Sequence, residues 1–342
     1  MKSRAFITGV SGLELTTAER EFVRAERPWG FILFKRNVDT PTQVARLVGK
    51  LRDCVGNPEA PVLIDQEGGR VQRLGPPYWR SYPSGAVFGA LYDSDRMLGL
   101  QAARLSSRLI ASDLIDLGIT VDCLPLADVP VEGSDAVIGD RAYGTEPGKV
   151  ADIARAVTKG LEQGGILPVL KHIPGHGRAT ADSHFRLPTV DTPREELERT
   201  DFAAFQPLAE LPMAMTAHVV FSALDPAHPA TTSATIVKQV IRGVIGFQGL
   251  LMSDDVSMNA LAGSVAERTR AIFAAGCDVV LHCNGKLEEM REVAAETPEL
   301  SGEALERAGQ ALGARKAPRA FDRAAARREL DALIERAGTA GA

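Results

Sequence analysis

The sequence predicts an α/β protein folded as a (β/α)8 TIM barrel, and three observations carry that prediction. Eight short apolar runs alternate with longer helical patterns along the chain, which is how a parallel sheet with helical cover reads in sequence. No low-complexity linker interrupts the alternation over 342 residues, a length that one barrel fills as a single domain. Polar residues gather at the C-terminal ends of the runs, where barrel enzymes place their chemistry. A doubly wound open sheet is the rival, but no G-x-G-x-x-G follows the first run.

The strand candidates are 5–8, 31–34, 62–65, 120–123, 169–172, 213–218, 250–254 and 278–282. Pro168 lacks the N–H that a central strand needs, so the fifth strand is expected to start after it. The helices have readable starts. Thr16 with Glu19 makes a capping box, and Thr40 caps a helix with Pro41 at its first position. The stretch 95–117 is long and amphipathic, and 147–163 runs into Gly164–Gly165 as helices often end. Thr192–Pro193 opens another helix, with Glu195 and Glu196 at its positive dipole end. Helices over 233–244, 264–275 and 287–296 complete the alternation, and a helical tail follows from about 301.

Composition excludes several classes. Hydrophobic residues at 45% and charged residues at 24% describe an ordinary globular chain. A net charge of −5 leaves no electrostatic footprint for nucleic acid or an anionic membrane surface. No apolar run approaches a membrane span, and the N-terminal stretch is too short and too soon polar for a signal peptide. The four cysteines, Cys54, Cys123, Cys277 and Cys283, form no CxxC pair. They read as reduced thiols in a cytoplasmic protein.

The chain is organised around ILPVLKHIPGHGRATADSHFRLPTV at 166–190, which holds three of the six histidines. A buried strand ends there on Lys171 and His172 and opens into a loop with Pro174, Gly175 and Gly177, the arrangement of rigid strand and adaptable loop that suits catalysis. Asp65 ends the third strand, Asp254 the seventh, and His218 and His282 stand at the sixth and eighth. Asp182 and His184, two apart, form a carboxylate–imidazole pair suited to acid–base work near neutral pH. A carboxylate nucleophile at Asp254 opposite a proton donor is the equipment for cleaving a glycosidic bond through a covalent intermediate. Asp65, Arg73, Arg141, Lys171 and His172 then supply hydrogen bonds and charge for a hydroxyl-rich ligand. Read from residues alone, this is a hydrolase with a polar substrate, and a sugar is only the preferred one.

The motifs KHIPGHGRATADSH, IDQEGGRVQR and SDDVSM resemble glycoside hydrolase family 3, in particular its single-domain bacterial β-N-acetylhexosaminidases, from the first strand to about Gly276. The resemblance implies Asp254 as nucleophile and His184 as acid/base, with Asp182 as its dyad partner. It assigns sugar binding to Asp65, Arg73, Arg141, Lys171 and His172. Ile173 stands where these enzymes often carry Phe, and Val256 where Leu is frequent; both stay apolar. The resemblance further implies a cytoplasmic enzyme, without cofactor or metal, that removes N-acetylglucosamine from 1,6-anhydro-N-acetylmuramoyl fragments and their peptides during cell-wall recycling. A monomer is expected, with no nucleic-acid or membrane partner.

Three rivals are weighed against it. A metal-dependent hydrolase would draw on His172, His176, His184 and Asp182, but Pro174, Gly175 and Gly177 forbid the helix on which histidines four apart bind zinc. An N-acetylglucosaminide phosphorylase would share the intermediate and let phosphate resolve it, since a neutral histidine base repels phosphate less than a carboxylate does. A non-catalytic sugar-binding barrel would need the dyad or Asp254 missing, and both are present.

Overall fold

Eight parallel strands close on themselves, each hydrogen-bonded to its neighbours in sequence and the first to the eighth. They are Arg4–Thr8, Pro28–Leu33, Val62–Ile64, Val121–Asp122, Leu167–Ile173, Met213–Thr216, Leu250–Asp255 and Val279–His282. The structure is a computed structural model that describes residues 3–181, 183 and 186–340.

Alternation along the strands sorts side chains into two cores. Ile7, Ile32, Leu63, Val121, Val169, Met215, Met252 and Leu281 fill the barrel interior. Their sequence neighbours Phe6, Phe31, Ile64, Leu170, Ala214, Leu251 and Val280 pack outward against the helices. Burial on both faces is why these strands read as continuous apolar runs. Leu300, Ala308 and Ala311 belong to the interior cluster, so the helix Gly302–Gly313 plugs the N-terminal end of the barrel. Asp278 fastens that plug, accepting from Arg307 at 2.9 Å and from Arg242 at 2.8 Å.

The capping box Thr16 with Glu19 falls where the sequence puts it, before Thr17–Glu26, and a second, Ser264 with Glu267, precedes Val265–Ala275. Three expectations need correction. Pro168 lies inside the fifth strand, opposite Asp122. The sixth strand begins level with Val169, so on that side Pro168 has no neighbouring strand residue to which a backbone N–H would be owed. The helix expected over 233–244 is the π-helical segment Ile236–Val244. The helix after Thr192–Pro193 is capped by Pro193 and breaks at Thr200 into Arg194–Arg199 and Asp201–Phe205.

In the helical ring, Pro147–Gln163 lies close against Arg96–Ile115. A Cβ on Gly160 would overlap Ser107 Oγ and the Arg104 carbonyl. Gly160→Ala must therefore separate the two helices and should lower the unfolding free energy by about 1–3 kcal/mol in urea titrations. The kcat of the folded protein should be unchanged, because the contact lies outside the barrel.

Candidate active site

The site is built at the C-terminal mouth by loops that fold back on themselves. Beyond the third strand, Gln66 staples its loop: its side-chain oxygen accepts from the Arg73 and Leu74 N–H groups at 2.9 and 3.0 Å. Gly68 and Gly69 sit at φ of +97° and +56°, and a Cβ on either would overlap Pro83 or Ser84. The tight return brings Arg73 over Asp65, with Arg73 Nη2 3.0 Å from Asp65 Oδ2.

Lys171, 2% exposed, reaches in from the fifth strand between two carboxylates, 3.0 Å from Asp65 Oδ1 and 2.6 Å from Glu67 Oε1. Glu67 in turn accepts two hydrogen bonds from Arg141, at 2.9 and 2.8 Å. Arg141–Glu67–Lys171–Asp65–Arg73 is thus a row of alternating charge in which each buried ion meets its opposite. Burial pushes Glu67 up, but Arg141 and Lys171 overcome it and hold the carboxyl down at about 2. Burial likewise opposes the charge on Asp65, and Lys171 and Arg73 hold that carboxyl well below the usual range. On Lys171, burial favours the neutral amine, while Glu67 and Asp65 reverse the balance and raise it above its ordinary value.

His172 follows at the strand end with its ring fixed from behind. Its Nδ1 lies 2.7 Å from Oδ2 of Asp128, which is fully buried. Oδ1 of the same carboxylate accepts the backbone N–H groups of His172 and His176 at 3.3 and 2.7 Å. With Nδ1 engaged, Nε2 of His172 is left for a ligand.

Asp254 stands on the seventh strand. Its N–H donates to Thr216 Oγ1 at 3.3 Å, and its Oδ1 accepts the Asp255 N–H at 2.8 Å. Thr231 Oγ1 lies 2.8 Å from Thr216 Oγ1 and 2.7 Å from His218 Nδ1, so the strand end is buttressed from below.

Asp65, Arg73, Arg141, Lys171, His172 and Asp254 all line one cavity of about 280 Å³. The six predicted site residues within the described region are therefore brought together. Asp182 and His184 lie outside the described residues. His218 and His282 do not line the cavity; both are fully buried, and His218 serves the buttress behind Asp254. Sequence reasoning missed Glu67 and Asp128. Asp128 carried a faint signal, a lone carboxylate among apolar residues, and Glu67 followed Asp65 by two residues just past the third strand.

At the mouth of a closed barrel, where such folds place their chemistry, Asp254 shares a cavity with a fixed set of hydrogen-bonding cations, an arrangement suited to a polar substrate. The chain belongs to glycosyl hydrolase family 3: the model of that family's N-terminal domain matches residues 8–310. The protein is a glycoside hydrolase. It is similar to the β-hexosaminidase of Alkalilimnicola ehrlichii, with 39% identity over 81% of this chain and 79% of the relative. Among solved structures it resembles NagZ from Neisseria gonorrhoeae in complex with N-trifluoroacetyl-D-glucosamine, with a TM-score of 0.85, 31% identity, and 99% and 98% of the two chains covered. It also resembles a family 3 β-N-acetylglucosaminidase from Paenibacillus sp., with a TM-score of 0.83, 28% identity, and 97% of this chain and 66% of the other covered.

Glu67→Gln should expose the dependence of the site on its shared counter-ion. Leaving Lys171 and Arg141 short of one carboxylate should cost roughly 3–5 kcal/mol in urea unfolding. The unfolded chain takes up the Glu67 proton near 4.5 and the folded chain only near about 2. Wild-type stability should therefore decline as pH falls through that window, and the decline should be shallower in the variant.

Proposed function

We propose that this chain is a retaining β-N-acetylglucosaminidase, which forms a covalent glycosyl-enzyme on Asp254. The observation that carries the reading is the placement of Asp254 in one small cavity with Asp65, Arg73, Arg141, Lys171 and His172. In the first step the Asp254 carboxylate attacks the anomeric carbon and His184, protonated and supported by Asp182, gives its proton to the leaving oxygen. In the second step His184 takes a proton from water, which displaces Asp254. Asp65 accepts from sugar hydroxyls, while Lys171, Arg73 and Arg141 donate to them. Such contacts raise kcat/KM where they tighten as the ring distorts.

The cavity volume bears on the substrate. About 280 Å³ is just below the roughly 300–1,000 Å³ typical of drug-sized ligand sites, which favours one terminal sugar over an internal glycan segment. Of the relatives named above, the Paenibacillus protein is a β-N-acetylglucosaminidase and the Neisseria NagZ binds N-trifluoroacetyl-D-glucosamine, and this supports N-acetylglucosamine as that terminal sugar. The physiological substrate we assign is N-acetylglucosamine linked to 1,6-anhydro-N-acetylmuramoyl fragments, with or without peptide, released in the cytoplasm during cell-wall recycling by a monomer. Among the described residues no helix is long and apolar enough to cross a membrane.

Two inversions at the anomeric carbon return its starting configuration. Proton NMR of the first-formed sugar from an aryl β-N-acetylglucosaminide should show the β anomer, and an α product would overturn the mechanism. Aryl β-glucoside should be the poorer substrate. Added phosphate should leave free sugar as the product, whereas a sugar phosphate would identify a phosphorylase. His184→Ala should lose most on substrates with poor leaving groups, since acid catalysis contributes about 10²- to 10⁴-fold where the leaving oxygen needs a proton.

A further inference from the structure

The proposed reaction uses His184 and Asp182 but gives no role to the histidine that precedes them in the same motif, or to the serine between them. His176 and Ser183 are each 3% exposed, and both line the cavity. They meet through a hydrogen bond of 3.1 Å between His176 Nε2 and Ser183 Oγ.

We propose that His176 is a positioning residue for the reaction: through its hydrogen bond to Ser183 it fixes the part of the loop that carries Asp182 and His184. The proposal rests on reading His184 as the acid/base.

His176 is held independently of Ser183. Its backbone N–H donates to Asp128 at 2.7 Å, and its ring packs edge-on against His172 with centroids 5.7 Å apart. The next residue, Gly177, lies so close to the Val129 carbonyl that no Cβ fits. The backbone that carries this imidazole is therefore held by the same carboxylate that fixes the His172 ring. Burial, then the neighbouring His172, hold it down at about 4, so at neutral pH it is an uncharged hydrogen-bonding group and not a second acid.

The stem of the loop is fixed as far as Ala179. Arg178 pairs with Asp201 at 2.6 Å and with Glu196 at 3.0 Å, and the Ala179 carbonyl accepts from the Asp135 N–H at 2.8 Å. Further along the chain, Val220 donates to the Pro188 carbonyl at 2.9 Å. Between those points, among the described residues, the His176–Ser183 pair is the hydrogen bond that ties the loop to the barrel. Ser183 is the residue bonded in the chain to both Asp182 and His184.

The test compares kcat/KM for dinitrophenyl and phenyl β-N-acetylglucosaminides in Ser183→Ala, His184→Ala and the double variant, with thermal melts alongside. Ser183→Ala should fall at least about tenfold further on the phenyl than on the dinitrophenyl substrate, because proton donation matters only to the former. Inhibition by N-acetylglucosamine should be unchanged, since Asp65, Lys171 and His172 are untouched. In the His184→Ala background the serine change should add no further loss. His176→Phe, which keeps the ring and removes the hydrogen bond, should reproduce the Ser183→Ala pattern and supplies the result should that variant fail to fold. Equal losses on both substrates, or losses that add to those of His184→Ala, would overturn the proposal while leaving His184 in place. A His184→Ala variant that itself does not discriminate between leaving groups would overturn the acid/base reading and the proposal with it.

Discussion

The ammonium of Lys171 is the point on which the site depends. It is almost wholly buried, and a charge in that position costs several kcal/mol unless it is paired and hydrogen-bonded. Its partners come from elsewhere in the chain: Asp65 from the third strand end, and Glu67 from the loop beyond it. Glu67 also holds Arg141, 74 residues away in sequence. Three segments are thereby locked into one arrangement, since moving any of them leaves a buried ion uncompensated. A sugar entering the cavity meets donors and acceptors whose positions are already fixed, so little of its binding energy goes into ordering them.

The same economy appears behind the imidazoles. Asp128 uses both carboxylate oxygens to fix His172 and the start of the following loop. Thr216, Thr231 and His218 buttress Asp254. Each group that faces the cavity is therefore held by a neighbour that does not react. The barrel interior supplies the rigidity, with Met215 and Leu281 packed in the interior core while also bordering the cavity.

Much of this was legible in the sequence because the barrel imposes a simple pattern. Strands buried on both faces appear as apolar runs, and their C-terminal ends as abrupt polar residues, so Asp65, Lys171, His172 and Asp254 could be named as site residues. Local chemistry also read true, as at the Thr16–Glu19 capping box. Arg73 and Arg141 lie beyond the strands; their charge suggested them for a hydroxyl-rich ligand, and the resemblance to the family assigned them to sugar binding. Pro168 misled because its missing N–H counts only where a neighbouring strand runs alongside, and that depends on the stagger of the barrel. The π-helical turn of Ile236–Val244 has no distinct sequence period to betray it. Glu67 and Asp128 were passed over because their partners lie 74 and 44 residues away, pairings set by the closed sheet.

The central claim is that Asp254, presented beside this charge-balanced set, becomes covalently bonded to the sugar. Rapid-quench digestion and mass spectrometry, on enzyme turning over a dinitrophenyl β-N-acetylglucosaminide, test it most directly. The account predicts one N-acetylhexosaminyl unit on the peptide containing Asp254, formed within the first turnover and lost as substrate runs out. An adduct on another residue, or no adduct from His184→Ala enzyme, whose second step lacks its base, would contradict it.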